Sequence, residues 1–486
     1  MPNSPTARRH STTSKVLKAL GVFGGVQAVQ MLCSVVRTKL VALWIGPAGV
    51  GLITLYNATV DLISTTSQLN LRQSAVRDVT MAAETAVDTA GHNRALDTVT
   101  AAVRRVAIVL GTLGMIFVFL ASPLLGHLTF GDGSHTTAFM VLSPMLLLSA
   151  IASGEWAVMQ GMNRLKALAK STMWASLTAT AVAIPLFYFL RIRGIVPVLI
   201  TFAACNCLYA LVFGARTPRV AMTLREAFRQ SRGMLSLGLY MTVSAGVALL
   251  ASYIFAAWLN RTASDAAVGI YQAGYTLVNT YVGMIFTAVS MEYYPRLTAV
   301  SGSRTRTMTV VSHEIKIALW VIMAMVPAFI ALSDVLLRLL YSADFGAALP
   351  YIRLAIIGVA LRAVSWCLAY TILARGDGRI YIITESASAA VFLILSILGF
   401  KTLGYTGLGL AYIGWYGVYT AICYAVYHRR YGLRLRRGIG LLTAATLAVG
   451  VLAWIAAAWS LVATGAIALV GALGAARTLI ADRRTR

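Results

Sequence analysis

The chain has 486 residues, 59% of them hydrophobic and only 12% charged, with a net charge of +25 and a mean hydropathy of +0.77. A soluble domain of this length does not reach that hydropathy. Apolar stretches of about 20 residues recur from end to end, each long enough to cross a ~30 Å hydrocarbon core as a helix, so the chain reads as a polytopic helical membrane protein. The basic excess is spread over short segments between apolar runs rather than over a soluble domain, which excludes a nucleic-acid-binding module.

In chain order, residues 1–14 form a polar Ser/Arg/Thr-rich tail. The first apolar run is too long for the core of a signal peptide and has no small-residue cleavage site, so a retained anchor is expected. Fourteen spans are expected near 16–44, 49–70, 104–126, 137–160, 165–190, 194–214, 233–258, 267–290, 313–333, 350–374, 378–400, 404–427, 440–458 and 461–480. With the N-terminus in the cytoplasm, the cations sort themselves. Arg8, Arg9, Lys15 and Lys18 fall inside, as do Arg72, Arg77, Arg94, Arg104, Arg105, Arg164, Lys166 and Lys170. Arg216 to Arg232, Arg296 to Lys316, Arg375, Arg379, the run HRRYGLRLRR and the tail RTLIADRRTR join them. Outside are only Arg191, Arg193, Arg261, Arg338 and Lys401. This positive-inside pattern places both termini in the cytoplasm.

Cys33, Cys205, Cys207, Cys367 and Cys423 all lie within spans, so no disulfide framework is implied. Cys205 and Cys207 face different sides of a helix, and the six histidines form no ligand-spaced cluster. No metal or other cofactor is expected. A Gly-x-x-x-x-Gly-Lys-Ser/Thr motif is absent, so ATP does not drive an activity within this chain.

The sequence contains a weak internal repeat. AGVGLITLYNATVDLIS (48–64) lines up with AAVGIYQAGYTLVNTYV (266–282), placing Asp61 on Asn279, and QGMNRL (160–165) lines up with RGDGRI (375–380). Both alignments need a shift of about 215–218 residues, which carries span one onto span seven. An offset of six spans keeps the orientation, so the expected fold is all-α. It has two six-helix lobes related by a parallel repeat about the membrane normal, plus a C-terminal helical hairpin, with about 14 transmembrane helices. The boundaries expected are a cytoplasmic tail 1–14, an N-lobe 15–214, a basic connector 215–232, a C-lobe 233–427, and a basic loop with a peripheral hairpin and tail over 428–486. The connector has the pattern of an amphipathic surface helix.

Polar residues form stripes at helical spacing: Gln27, Gln30, Ser34 and Arg37 on span one; Asn57, Asp61, Ser64 and Gln68 on span two; Gln272, Thr276, Asn279, Gly283 and Ser290 on span eight. Such faces avoid lipid and serve either as hydrogen-bonding contacts between helices or as the wall of a hydrated cavity between lobes. Arg362 sits mid-way along span ten, where an arginine costs roughly 2.5–3.5 kcal/mol to insert. It marks either an anion site or an ion pair with Glu385 on the next span. Asp61 is open to structural pairing or to proton or cation coupling. Arg37 lies towards the outer end of its span, where snorkelling competes with a site role. Lys39, about 200° round the helix from Arg37, cannot share its face. Glu155 and Arg353 lie near span ends and are expected at the interface. Opposed cationic and polar walls suit a phosphate or diphosphate.

KLVALWIGPAGVGL (39–52), MQGMNRLKALAK (159–170), YYPRLTAV (293–300), LLYSADFGAALPYIRL (339–354) and AVSWCLAYTILARGDGRIYIITE (363–385) resemble, in that order, the O-antigen and lipid-linked-oligosaccharide flippases. These are the Wzx-type members of the multidrug/oligosaccharidyl-lipid/polysaccharide exporter superfamily. The resemblance runs from residue 15 to about 427. It implies translocation of an undecaprenyl-diphosphate-linked glycan from the cytoplasmic to the periplasmic leaflet of the bacterial inner membrane. Two lobes would alternate access around a cationic cavity. Lys39, the Gly46-Pro47 turn, Tyr341-Ser342, Phe345, Trp366 and Glu385 stand where the family's motifs put them. Members commonly stop after twelve helices, so the hairpin at 440–480 departs from the pattern.

The residues expected to bind the diphosphate and glycan are Arg37, Lys39, Arg362, Gln30, Asn57, Gln272 and Asn279, with Asp61 and Glu385 as ion-coupling candidates. The expected partners are the glycan lipid and the bilayer, with a polysaccharide polymerase and a chain-length regulator beside a monomeric, non-enzymatic transporter. A drug or cation antiporter of the same superfamily would share the fold but favour acidic and aromatic walls. A polymerase or glycosyltransferase would need a sizeable external loop or paired acids, and the outer loops are short.

Overall fold

The helices begin and end where local chemistry dictates. Gly46, at φ 76°, turns the chain out of α1 (Pro5–Trp44), and Pro47 starts α2 (Gly46–Gln68) at a position where its missing N–H costs nothing. Leu69 and Asn70, both at φ 48°, reverse the chain into α3 (Leu71–Ala83). The computed structural model describes residues 5–83, 94–215, 217–218, 220, 222–436 and 438–459, with side chains from Gly25 to Ala457 except at 240, 244, 281, 284, 285, 287, 288 and 291. Residues 1–4, the side chains of Arg8, Arg9, Lys15 and Lys18, Arg216, Arg219, and the expected span 461–480 with its basic tail lie outside what it describes.

Regular structure among the described residues is helical throughout. After α3 come α4 (Arg94–Phe130), α5 (Thr136–Leu142), α6 (Pro144–Gly161), α7 (Leu165–Leu190), a 3-10 turn at Arg191–Gly194 and α8 (Ile195–Phe213). The connector holds α9 (Leu224–Gln230), closed by a Thr223/Glu226 capping box, with Ala227 buried and Leu224, Arg225 and Arg229 exposed. The capping bonds from Thr223 hold the Glu226 carboxyl below its ordinary pKa. Next are α10 (Arg232–Thr262), α11 (Asp265–Tyr275), a π-turn at Thr276–Tyr281, α12 (Val282–Val300) and α13 (Arg304–Leu340). A 3-10 turn at Ala343–Ala348 leads to α14 (Leu349–Ala374), α15 (Gly378–Ala425), a π-turn at Val426–Arg430 and α16 (Ile439–Trp459).

The protein is a multi-pass membrane protein with a polytopic helical fold. Nine stretches among the described residues are long and apolar enough to cross a bilayer. Two of them, Leu165–Phe213 and Gly378–Arg430, run to 49 and 53 residues and double back. The first turns at Arg191; the second turns at Gly404, where the backbones of Gly399 and Gly407 meet. Expected spans two and eight, which carry polar stripes, are helical in α2 and in α11–α12 but are not among the nine.

The chain divides into two compact units, Met1–Leu249 and Leu250–Arg486. Unit 1 packs α4 and α3 against α6 through small residues. A Cβ on Gly111 would lie 2.7 Å from Ala150, and one on Gly161 2.6 Å from Val79, so side chains there would push the helices apart. Its core includes Leu71, Val79, Val103, Val106, Val158 and Met234. Unit 2 is built round α14, whose Ile352, Ala355, Ile356, Val359 and Ala360 are fully buried. α16 packs on α13 and α14, with Gly450 seated against Ile357 and Val326. The first helix of the expected peripheral hairpin is therefore part of the packed body of unit 2, because a glycine lets it approach closely.

The repeat is visible in backbone detail. The N–H groups of Met162, Asn163 and Arg164 bond to the carbonyls of Val158, Gln160 and Met159. Those of Arg375, Gly376 and Asp377 bond to Thr371, Leu373 and Ile372, the same steps of four, three and five residues. Asn163 and Gly376 both have positive φ, 55° and 72°. Arg191 (φ 49°, ψ −125°) likewise matches Gly404 (φ 58°, ψ −134°). The offset here is 213 residues (163 to 376, 191 to 404), so the alignment of QGMNRL with RGDGRI is two residues out of register. It keys on glycine and arginine letters, whereas the backbone pairs the two left-handed residues.

Candidate functional site

Unit 2 places a cation among neutral partners. Nη1 of Arg362, mid-way along α14, donates to Oδ1 of Asn279 at 3.0 Å and more weakly to the Asn279 carbonyl at 3.4 Å. The Tyr412 hydroxyl on α15 donates to the same Oδ1 at 3.2 Å. Asn279 is only 8% exposed, and its Nδ2 is buried with no hydrogen-bond partner among the described residues. The guanidinium lies 5.3 Å from the Phe286 ring and 5.9 Å from that of Tyr416, faces that stabilise a cation electrostatically. Among the described residues Arg362 enters no ion pair. Its charge is therefore solvated by an amide and aromatic rings rather than cancelled.

Local backbone features make this arrangement. Asn279 belongs to the π-turn, which inserts an extra residue into the helix and rotates the turns beyond it. Gly283 leaves room for the guanidinium, since a Cβ there would lie 3.3 Å from Nη2 of Arg362. Gly358, one turn before Arg362, does the same for Tyr412, whose Cδ1 would lie 2.8 Å from a Cβ. The rings of Tyr412 and Tyr416 pack in a tilted arrangement with centroids 4.8 Å apart, and those of Trp415 and Tyr416 at 4.3 Å, fixing the wall.

Asn279 and Arg362 are thus brought together. Gln272, two turns earlier, bonds among the described residues along its own helix, to Thr276 Oγ1 at 3.4 Å. Glu385 is half-buried and accepts a hydrogen bond from the Tyr419 hydroxyl. The alternative ion pair between Arg362 and Glu385 does not form, because Asn279 and the rings hold the guanidinium while Tyr419 holds the carboxylate. The sequence reading missed Tyr412, Tyr416 and Phe286. Tyr412, Trp415, Tyr416 and Tyr419 recur at steps of three, one and three, a one-face helical pattern that carried the signal.

In unit 1, the Arg37 guanidinium lies over the Phe202 ring of α8 at 4.3 Å, so it turns into the unit rather than outward. Gln30, Lys39 and Asn57 are half-buried and Asp61 is exposed. No hydrogen bond among the described residues joins Gln30, Arg37, Asn57 and Asp61 to one another.

Glu155 is buried inside unit 1. It is 4% exposed and takes a two-pronged contact from Arg104, at 2.5 and 2.9 Å, while Arg104 also binds the Thr217 hydroxyl and the Ala215 carbonyl. A buried carboxylate is tolerated where a guanidinium fork faces it. Arg353 bonds to Ser333 at 3.1 Å. Two motif residues, Tyr341 and Phe345, pack with tilted rings 5.0 Å apart in a buried turn, a packing role.

A family model described as "Polysaccharide biosynthesis protein" matches residues 16–301. The Lipid III flippases of Escherichia coli (strain K12) and Shigella flexneri are each 26% identical over 196 residues, which is 40% of this chain and 47% of theirs. The match thus spans about half the length of those relatives. Among solved structures, an inward-facing multidrug resistance MATE family transporter of the MOP superfamily superposes with a TM-score of 0.65 at 16% identity, over 85% of this chain and 95% of that one. The Lipid II flippase MurJ in an inward closed conformation also gives 0.65, at 13% identity, over 95% and 99%. These likenesses establish the fold.

Proposed function

The chain belongs to the polysaccharide biosynthesis protein family, and from that premise we propose that it is a flippase for a lipid-linked oligosaccharide. In the finer form of this reading, an undecaprenyl-diphosphate-linked glycan passes from the cytoplasmic to the periplasmic leaflet of the bacterial inner membrane during O-antigen or related polysaccharide synthesis. The two units alternate access, both termini lie in the cytoplasm, and the transporter works as a monomer beside a polymerase and a chain-length regulator. The Lipid III flippases supply support by sequence.

The observation that carries the reading is Arg362. A cation retained mid-span against an insertion cost, and left without a carboxylate among the described residues of its unit, keeps its field for an anionic cargo. Arg37 and Lys39 would add positive potential, Gln30, Asn57, Gln272 and Asn279 would offer hydrogen bonds to sugar or phosphate, and Asp61 or Glu385 would bind the coupling ion. Coupling requires that ion to bind one state more tightly than the other.

In a deletion strain, Arg362→Lys should retain part of the transport, since lysine offers a point charge without the fork. Arg362→Glu should abolish it by repelling the anion. Surface glycan, inner-leaflet lipid-linked glycan and membrane protein level are measured together. Full transport by Arg362→Glu at normal protein level would overturn the reading.

A further inference from the structure

Unit 1 carries a second cationic feature, remote in sequence from every residue assigned above. At the shared end of α7 and α8 lies an open cavity of about 490 Å³ lined by Arg164, Lys166, Ala167, Lys170, Val212, Phe213 and Gly214. Its charged lining is wholly basic. Lys166 and Lys170 are one helical turn apart, a spacing at which like charges repel, and all three cations are exposed. None of the three enters an ion pair among the described residues. The nearby Glu155, whose Oε2 would lie 2.8 Å from a Cβ on Gly214, is already committed to Arg104. That same arginine binds the Ala215 carbonyl at 2.6 Å, so the clamp that removes the acid also fixes the wall of the cavity.

The surroundings identify the level of the site. Both helices belong to a stretch, Leu165–Phe213, that is long and apolar enough to cross a bilayer. One turn from Lys170, Trp174 is 45% exposed, and on α8 Leu208, Leu211 and Val212 are 55–60% exposed. A wholly basic cavity therefore opens directly above an apolar, lipid-facing strip. A soluble anion needs only the first part; a lipid with a negative headgroup uses both.

We propose that this cavity binds the headgroup of an anionic diacyl phospholipid of the bilayer, with the acyl chains laid along the exposed faces of α7 and α8. It is a bound-lipid site separate from any cargo path. Removing one cation near an anionic membrane surface weakens binding about fivefold.

The test is native mass spectrometry of the full-length protein in detergent, titrated with phosphatidylglycerol or phosphatidylcholine. Phosphatidylglycerol should be retained at least about tenfold more tightly than phosphatidylcholine. The triple variant Arg164→Gln/Lys166→Gln/Lys170→Gln should remove that preference. The charge-matched control Arg193→Gln/Arg261→Gln/Lys401→Gln, three exposed cations expected on the opposite side of the membrane, should change it less than about twofold. Should the triple variant not purify, Lys170→Glu alone decides, with about a fivefold or greater loss expected. Equal loss in both triples, no loss in the pocket variants, or equal retention of the two lipids would overturn the proposal. So would displacement of phosphatidylglycerol by millimolar inorganic phosphate or glycerol phosphate, which would make the cavity a soluble-anion site.

Discussion

Two positions show how differently single residues declare themselves. Arg362 is conspicuous in the sequence because charge inside an apolar run is costly, and its location is evident from hydropathy alone. Its partner is another matter: Asn279 turns inward only because a π-turn rotates it, and no residue letter announces an extra backbone residue. The pair yields a test that keeps shape and changes charge. Asn279→Asp would place a carboxylate 3.0 Å from the guanidinium. The protein should fold at least as well, while its free cation disappears and transport falls by an order of magnitude or more. Unchanged glycan export by this variant would mean that the uncancelled charge of Arg362 is irrelevant to transport. Arg191 is the second position. It holds φ 49°, ψ −125°, a conformation that L side chains rarely adopt and that its counterpart in the other unit fills with Gly404. Arg191→Gly should therefore raise stability by about 1 kcal/mol, the relieved strain exceeding the added entropy of the unfolded chain. Thermal unfolding in detergent reads this as an upward shift, and a lower midpoint would show that Arg191 is held by contacts worth more than the strain.

At the scale of elements, the sequence marks where helices are, since 20-residue apolar runs permit little else in a bilayer. It marks poorly how they pack, because in lipid the decisive contacts come from small residues, and glycine is common enough that its letter alone does not say which one is pressed against a neighbour. Gly358 and Gly417 illustrate the difference on helices of one unit. A Cβ on Gly358 would meet Tyr412 at 2.8 Å and the Ile413 backbone at 3.3 Å, whereas Gly417 has only Leu361 at 3.9 Å. Gly358→Val should push α15 away from α14, lift Tyr412 off Asn279, and cost about 1–3 kcal/mol by overpacking. Gly417→Ala should be close to neutral. Detergent melts of the two variants distinguish them, and similar midpoints would mean that the α14–α15 contact yields easily. The repeat teaches the same lesson. Its letters suggest a shift of 215 residues between 160–165 and 375–380, but the chain-reversal geometry repeats at 213, because hydrogen-bonded caps are set by the left-handed residue, asparagine in one unit and glycine in the other.

For the molecule as a whole, charge sorting predicts which loops share a side of the membrane but not how a loop is fastened. Asp377, between α14 and α15, is the fastening point in unit 2. Its carboxylate accepts from Tyr431 at 2.7 Å and from Arg430 at 3.2 and 3.4 Å, and the Arg375 guanidinium lies over the Tyr431 ring at 4.6 Å. The loop between two spans is thereby tied to the segment that leads into α16, which itself packs on α13 and α14. The bonds from Arg430 and then Tyr431 hold the Asp377 carboxyl below its ordinary value. A carboxyl depressed in the folded state binds its proton less readily there than in the unfolded chain. Its contribution to stability is then fully present above about pH 4 and is lost as pH falls through the depressed folded value. Asp377→Asn removes this contribution at every pH. The melting midpoint of the wild type should exceed that of the variant at pH 6, and the gap should close progressively below about pH 4. A gap that persists unchanged to pH 3 would show that the clasp acts through shape alone; its absence at pH 6 would show that α16 is anchored by packing without it.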